Sequence, residues 1–134
     1  EGEQRFNQPA GHLEANESLI QACEREVFEE TGLSLKAQGL VGIYQLSASE
    51  DLAFVRFTFL VQLDDMPSPA PQDKAIHSAH WLSLAQIEAK SSLLRCPLVL
   101  DCLKDYLNQA QNGQTYPLSL LNSDRLTIAQ ASKA

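Results

Sequence analysis

Three carboxylates and a guanidinium, Glu26, Glu29, Glu30 and Arg25, crowd into six consecutive residues. Between Asn16 and Gly32 the chain holds neither Pro nor Gly, so the stretch reads as an α-helix with Asn16 as N-cap and Gly32 as C′ residue. The i, i+3, i+4 spacing then stacks the three acids on one face, beside an apolar stripe of Ile20, Cys23 and Val27. Like charges so placed destabilise a bare helix, and partial burial adds to the cost. A cation is therefore expected among them. Hard divalent ions prefer carboxylate oxygens, and Mg²⁺ keeps several waters while taking one or two carboxylates and substrate phosphates. The chemistry such a site supports is attack of water on phosphorus, with the metal offsetting charge on the transferring group. A solvated acidic face is the plainer reading of a Glu-rich helix, and the spacing on either side of the acids decides against it.

The elements that position this helix can be read around it. Gly39 to Leu46 reads as a strand, followed by the polar turn Ser47 to Asp51. Ala53 to Leu63 reads as a second strand, with Val55, Phe57, Phe59, Val61 and Leu63 on a wholly apolar face and Phe54, Arg56, Thr58, Leu60 and Gln62 on a mixed one. The two are expected to pair antiparallel. Three prolines between Asp64 and Asp73 forbid a central strand or helix there, so that stretch is a loop near the site. A short strand through Ile76 to Trp81 is expected next, then a helix over Leu84 to Ala89 capped by Ser83. Pro97 opens a last helix with Val99, Leu103, Tyr106, Leu107 and Ala110 as its apolar side and Gly113 as its stop.

At 134 residues and 44% apolar, the chain has room for one domain with a sizeable core, assigned to residues 1–121, and a polar tail, 122–134. A net charge of −7 argues against nucleic acid as a partner, because neutralising many phosphates needs clustered Lys and Arg. A metal bridge reconciles this acidity with a small anionic substrate. The three cysteines, Cys23, Cys96 and Cys102, form neither a CxxC pair nor an even framework, which points to buried thiols in the cytoplasm. No run of residues reaches transmembrane length, so no membrane role is expected.

The full pattern is Gly11-x5-Glu17-x7-Arg25-Glu26-Val27-x-Glu29-Glu30-x-Gly32-Leu33. It fixes seven letters, and at roughly one in twenty per letter a chance match is on the order of one in a billion per start position. The pattern resembles the Nudix box of Mg²⁺-dependent hydrolases that cleave a nucleoside diphosphate linked to another group X. Beyond the box, Asn7-Gln8-Pro9-Ala10-Gly11-His12-Leu13-Glu14, Pro97-Leu98-Val99 and Asn112-Gly113-Gln114-x-Tyr116-Pro117-Leu118 resemble the bacterial phosphatase NudJ branch of that family. The fold implied is an α/β/α sandwich around a mixed β-sheet. Family members usually place a β-hairpin before the segment resembling Phe6 to Gly11, so the chain is expected to be N-terminally incomplete by about twenty to thirty residues.

The resemblance also implies roles. Glu26 and Glu30 are the leading Mg²⁺ ligands, with Mn²⁺ as a substitute; Glu29 is a further ligand or the base that activates water, and the Gly11 carbonyl completes the set. Glu26 is an alternative base. Arg25 and Glu17, eight residues apart and slightly over two turns along the helix, resemble a positioning pair, against the plainer reading of a surface ion pair. Many members carry a further acid six residues ahead of a Trp. Trp81 is present here, but that position is Ala75, which leaves Asp73 as the nearest replacement acid. For substrate, Arg56 can meet a phosphate bidentately or snorkel to solvent. Phe6, Tyr44 and Phe54 can stack a ring or serve as ordinary packing, His12 can touch phosphate or bond locally, and Trp81 is assigned to packing.

The reading these residues support is Mg²⁺-dependent hydrolysis of a phosphoanhydride in nucleoside di- or triphosphates, or in a small pyrophosphate such as that of the thiamine pyrimidine precursor. The alternative is a nucleotide-binding sensor that keeps the fold without turnover. Such proteins usually lack one or more box acids, whereas Glu17, Glu26, Glu29 and Glu30 are all present. Homodimers are common in the family, though no residue here identifies an interface.

Overall fold

Ser18, two residues beyond the expected Asn16, caps the acid-bearing helix α1 (Leu19–Thr31). Its hydroxyl accepts from the Gln21 N–H at 3.0 Å while its own N–H donates to Gln21 Oε1 at 2.8 Å, a reciprocal capping box. Asn16 instead takes the left-handed region at φ 65°, which Asn tolerates, and turns the chain into the cap. At the other end Gly32 has φ 75°, its N–H donates to the Phe28 carbonyl, and a Cβ there would run into the Ala70 carbonyl oxygen. Glycine is needed at this stop for both conformation and space. The computed structural model describes residues 4–111 and 115–126, so the expected stop at Gly113 and the tail beyond residue 126 lie outside the described residues, as does the side chain of Ala110.

Strands β1 (Gly39–Ser47) and β2 (Ala53–Leu60) pair antiparallel as expected, from Gly39 opposite Leu60 to Ser47 opposite Ala53. β2 ends three residues short of Leu63. A bulge between Leu40 and Gly42 breaks strict alternation, so consecutive residues Leu40 and Val41 are both buried, at 1% and 3% exposure. On β2 the face expected to be apolar throughout leaves Val55 58% exposed. Tyr116 bridges the free edge of β1 at Leu40, where the missing side chain of Gly39 admits Thr115. Phe6 and Leu94 form an isolated parallel bridge, so pairing of both directions is present in this α/β fold.

No strand forms over Ile76 to Trp81. Asp73 folds this segment locally instead, its carboxylate accepting from the Ala75 N–H and its carbonyl from the Ile76 N–H, and such turns compete with extended pairing. Trp81 is 43% exposed and pins the proline-rich loop by donating from its indole N–H to the Pro67 carbonyl at 2.8 Å.

Helix α2 (Leu84–Ala89) starts at its Ser83 capping box. Helix α3 (Leu98–Gln111) follows Pro97 directly and packs against β1. Its buried side is Leu98, Val99 and Cys102, rotated from the expected stripe so that Leu107 is 40% exposed. Among the described residues the buried apolar core is Leu40, Val41, Cys96, Leu98, Val99 and Cys102 around β1 and α3, with Ala22 from α1. Of α1 only Ala22 is buried, and its acids are graded from Glu26, 16% exposed, to Glu29, 41% exposed. Among the described residues, no helix is long and apolar enough to cross a membrane.

Candidate active site

The loop ahead of α1 folds back over the helix and touches the acids in turn. Ala10 N–H donates to Glu30 Oε1 at 3.2 Å. A Cβ on Gly11 would fall on the Glu26 carboxylate, so this glycine exists for close approach. The His12 carbonyl accepts from Arg25 Nη2 at 2.9 Å, and the Glu14 N–H donates to Glu17 Oε1 at 2.8 Å. A turn of helix and a loop of five residues thereby fix one another.

Arg25 is the hub. Its Nε and Nη2 grip Glu17 with two bonds of 2.9 Å, the fork geometry that a guanidinium offers a carboxylate. Its Nη1 donates to Glu26 at 2.6 Å and to Glu29 at 3.3 Å. The hydrogen bond to Glu17 above all, and the bond to Glu26 next, hold this guanidinium firmly cationic against the opposing effect of burial. The same bond to Arg25 keeps Glu17 ionised below the usual carboxylate range. One cation thus hydrogen-bonds three acids and a carbonyl, and lies 3.7 Å from a fourth acid, Glu14.

Glu30 lies outside the reach of that cation. Burial, followed by the hydrogen bond to Glu26, pushes its carboxyl up to about 8, and the charge of Asp73 adds to the rise. Asp73 arrives by backbone bonding. The N–H groups of Gln72 and Asp73 both donate to the Glu29 carbonyl at 2.8 Å, and the Ala70 N–H donates to the Thr31 carbonyl at 2.7 Å. The proline-rich loop thereby satisfies the open carbonyls of the last turn of α1 and sets an acid beside Glu30. Ala75, the position where the resemblance leads one to expect a further acid, is exposed on the local turn that Asp73 makes.

The donor set suits a hard divalent ion. Glu30 is half-buried with negative neighbours, and Gly11 leaves the Glu26 oxygens room that a side chain would fill. Among the described residues no three His, Cys, Asp or Glu side chains are gathered to hold a metal by themselves. Arg25 instead occupies oxygens of Glu26 and Glu29.

The other sequence candidates are spread around this centre. Arg56 Nη1 donates to Gln8 Oε1 at 3.3 Å, which ties β2 to the acid loop. His12 meets the ring of Phe54 edge to face, with centroids 6.2 Å apart and planes at 70°. Tyr44 gives its hydroxyl to Asp105 of α3 at 2.8 Å, and burial followed by that bond raises its pKa. Phe6 is engaged in the bridge to Leu94 and lies under the Lys90 ammonium, 5.2 Å from its centroid. Gln8, Ser18 and Asp105 carry parts of this scaffold that the pattern of residues does not announce, because two of their three bonds join residues 48 and 61 positions apart.

A profile of the NUDIX domain matches residues 2–96. Phosphatase NudJ of Shigella boydii is 40% identical over 120 residues, covering 90% of this chain and 75% of that protein. The protein of that name from Escherichia coli is 39% identical over the same lengths. A solved NUDIX hydrolase from Nitrosomonas europaea superposes with a TM-score of 0.76 at 44% identity, covering 89% of this chain and 78% of that one. The domain match, the sequence identity and the shared fold agree, and the chain belongs to the Nudix family of hydrolases.

Proposed function

We propose that this Nudix hydrolase cleaves the phosphoanhydride of small pyrophosphates in an Mg²⁺-dependent reaction, with water attacking phosphorus. The observation that carries the reading is the locking of Gly11 and Ala10 onto Glu26 and Glu30, which gathers oxygen donors at a half-buried carboxyl beyond the reach of Arg25. Glu26, Glu30 and the Gly11 carbonyl, with Glu29 as a further donor, would hold Mg²⁺ or a substituting Mn²⁺. When bound, the ion supplies neutralisation of phosphoryl charge and a more acidic water.

The chain's own groups divide the remaining work. Glu29 is 41% exposed and only loosely held by Arg25, against 16% for Glu26, so Glu29 is the freer carboxylate to take the proton of the attacking water. The new P–O bond forms as the bridging P–O bond breaks, and the phosphate on the far side departs. Arg25, braced by Glu17, orients Glu26 and Glu29. Arg56 binds a substrate phosphate, and Asp73 stands in for the acid that Ala75 lacks. Substrates are nucleoside di- or triphosphates and the thiamine pyrimidine pyrophosphate, in the reducing cytoplasm to which three free thiols are suited.

Release of phosphate and pyrophosphate from a panel of these compounds, with Mg²⁺ and with EDTA, tests the reading. Mg²⁺-dependent release is expected, and the product identifies the bond broken. Tight Mg²⁺-dependent binding without release would instead assign the chain to nucleotide sensing, the outcome that Ala75 favours.

A further inference from the structure

In the loop that crosses the end of α1, proline stands at every second place: Pro67, Pro69 and Pro71. Each fixes its own φ and lacks an N–H, so this strap is stiff and donates only from the residues in between. Two of those donors are spent on the helix. The Ala70 N–H goes to the Thr31 carbonyl at 2.7 Å, and the Gln72 N–H joins that of Asp73 on the Glu29 carbonyl at 2.8 Å. The Gln72 side chain also folds back, its Nε2 donating to the Ala70 carbonyl at 2.8 Å, and this is the carbonyl for which Gly32 makes room. The three prolines are half-buried while Ser68, Ala70 and Gln72 are exposed, so the strap keeps one edge against the molecule.

Glu29 and Glu30 stand on the last turn of α1, the part of a helix that frays when its carbonyls lack partners. The strap supplies those partners. Its far end carries Asp73, whose charge bears on Glu30. Its near end is tied by Trp81, whose indole N–H donates to the Pro67 carbonyl at 2.8 Å. Trp81 is 43% exposed, and an indole kept for burial alone would gain by covering that area. The ring nitrogen is a donor only, so its one polar bond is the one made to the strap. A hydrogen bond at one end of a proline-stiffened segment therefore bears on the acid at the other.

We infer that Trp81 is a positioning residue for the hydrolytic site: its indole N–H holds Pro67, and the proline strap carries that constraint to the last turn of α1 and above all to Asp73. The assignment rests on the metal-dependent reading of the acid site. Trp81 acts through the strap, by keeping Glu29, Glu30 and Asp73 in one arrangement. Groups that orient metal ligands from outside change metal affinity or activity about 10- to 100-fold when lost. The footprint of Trp81 therefore falls on metal affinity and kcat, and KM is left nearly alone.

Trp81→Phe keeps a ring and removes the N–H. Mn²⁺ binding to substrate-free protein, followed by loss of the free-ion EPR signal, is measured on wild type, Trp81→Phe, Asp73→Asn and the double variant, alongside steady-state kinetics in Mg²⁺. Trp81→Phe is expected to weaken Mn²⁺ about tenfold and to lower kcat about tenfold. KM should stay within about twofold of wild type. In the Asp73→Asn background the same substitution should weaken Mn²⁺ by less than about threefold, because sites without a shared partner add independently and coupling requires the strap. Full additivity, a rise in KM with kcat unchanged, or wild-type Mn²⁺ affinity in Trp81→Phe overturns the positioning role and leaves the hydrolase reading standing. Wild type that neither binds Mn²⁺ nor releases phosphate in Mg²⁺ removes that reading, and the positioning role with it. If Trp81→Phe does not fold, Pro69→Gly loosens the middle of the strap without touching either anchor. The same fall in Mn²⁺ affinity and kcat is then expected, and no fall overturns the role of the strap.

Discussion

The molecule contains two braced polar regions built in opposite ways. At the acid site one guanidinium, Arg25, is shared among Glu17, Glu26, Glu29 and the His12 carbonyl, all within thirteen residues of it. Between β1, β2 and α3 the bonds are single and reach far. Tyr44 to Asp105 spans 61 residues and Thr58 to Cys102 spans 44. The first region concentrates charge and leaves Glu30 beyond the reach of Arg25. The second uses neutral or singly charged partners, and burial raises the pKa of the Cys102 thiol, keeping it protonated. The acid site is thus arranged at the expense of its own electrostatic comfort, as functional sites commonly are, whereas the helix–sheet contact spends polar groups on holding the fold.

The sharpest way to break this contrast is to neutralise an acid. Glu26→Gln should lower kcat at least about 100-fold while leaving the melting temperature near that of wild type; kinetics alongside thermal unfolding checks both. Arg25→Ala comes next, with an expected loss of about 10- to 100-fold in kcat, because three carboxylates lose their common partner. A fall in Tm of about 5 °C should accompany it. If instead only Tm changes, Arg25 is a structural brace and not an orienting group.

The pH dependence sharpens the comparison further. Glu30 stands at about 8 in the folded protein against an ordinary 4.5, so the fold binds more protons than the unfolded chain between those values. The stability it contributes in metal-free protein is full below pH 4.5 and is lost as pH rises toward 8. Thermal melts in EDTA across that range should show the decline, and Mg²⁺ should raise Tm more at its alkaline end. An equal Mg²⁺ effect at both ends would count against Glu30 as a ligand. The smallest effect belongs to the other region. Tyr44→Phe removes the tether to Asp105 and should cost about 1 kcal/mol of stability by denaturant unfolding.

Much of the acid site was legible because helix geometry is local. Spacing alone stacks Glu26, Glu29 and Glu30 and puts Arg25 slightly over two turns from Glu17. The cap was misplaced by two residues because Asn16 and Ser18 are both good caps and only the backbone angle at Asn16 separates them. The strand expected over Ile76 to Trp81 failed for a different reason. Alternation describes which side chains suit a strand, but Asp73 closed a turn there instead.

The sequence by itself determined the family, the acid helix, the glycine stop at Gly32 and the antiparallel hairpin, since each follows from interactions among near neighbours along the chain. Only the tertiary structure decided that Asp73 comes to Glu30, that Tyr44 belongs to α3 and that Phe54 meets His12. Those juxtapositions depend on how loops cross elements. Loop closure is set by backbone hydrogen bonds such as those from Gln72 and Asp73 to the Glu29 carbonyl, and any non-proline residue can make them.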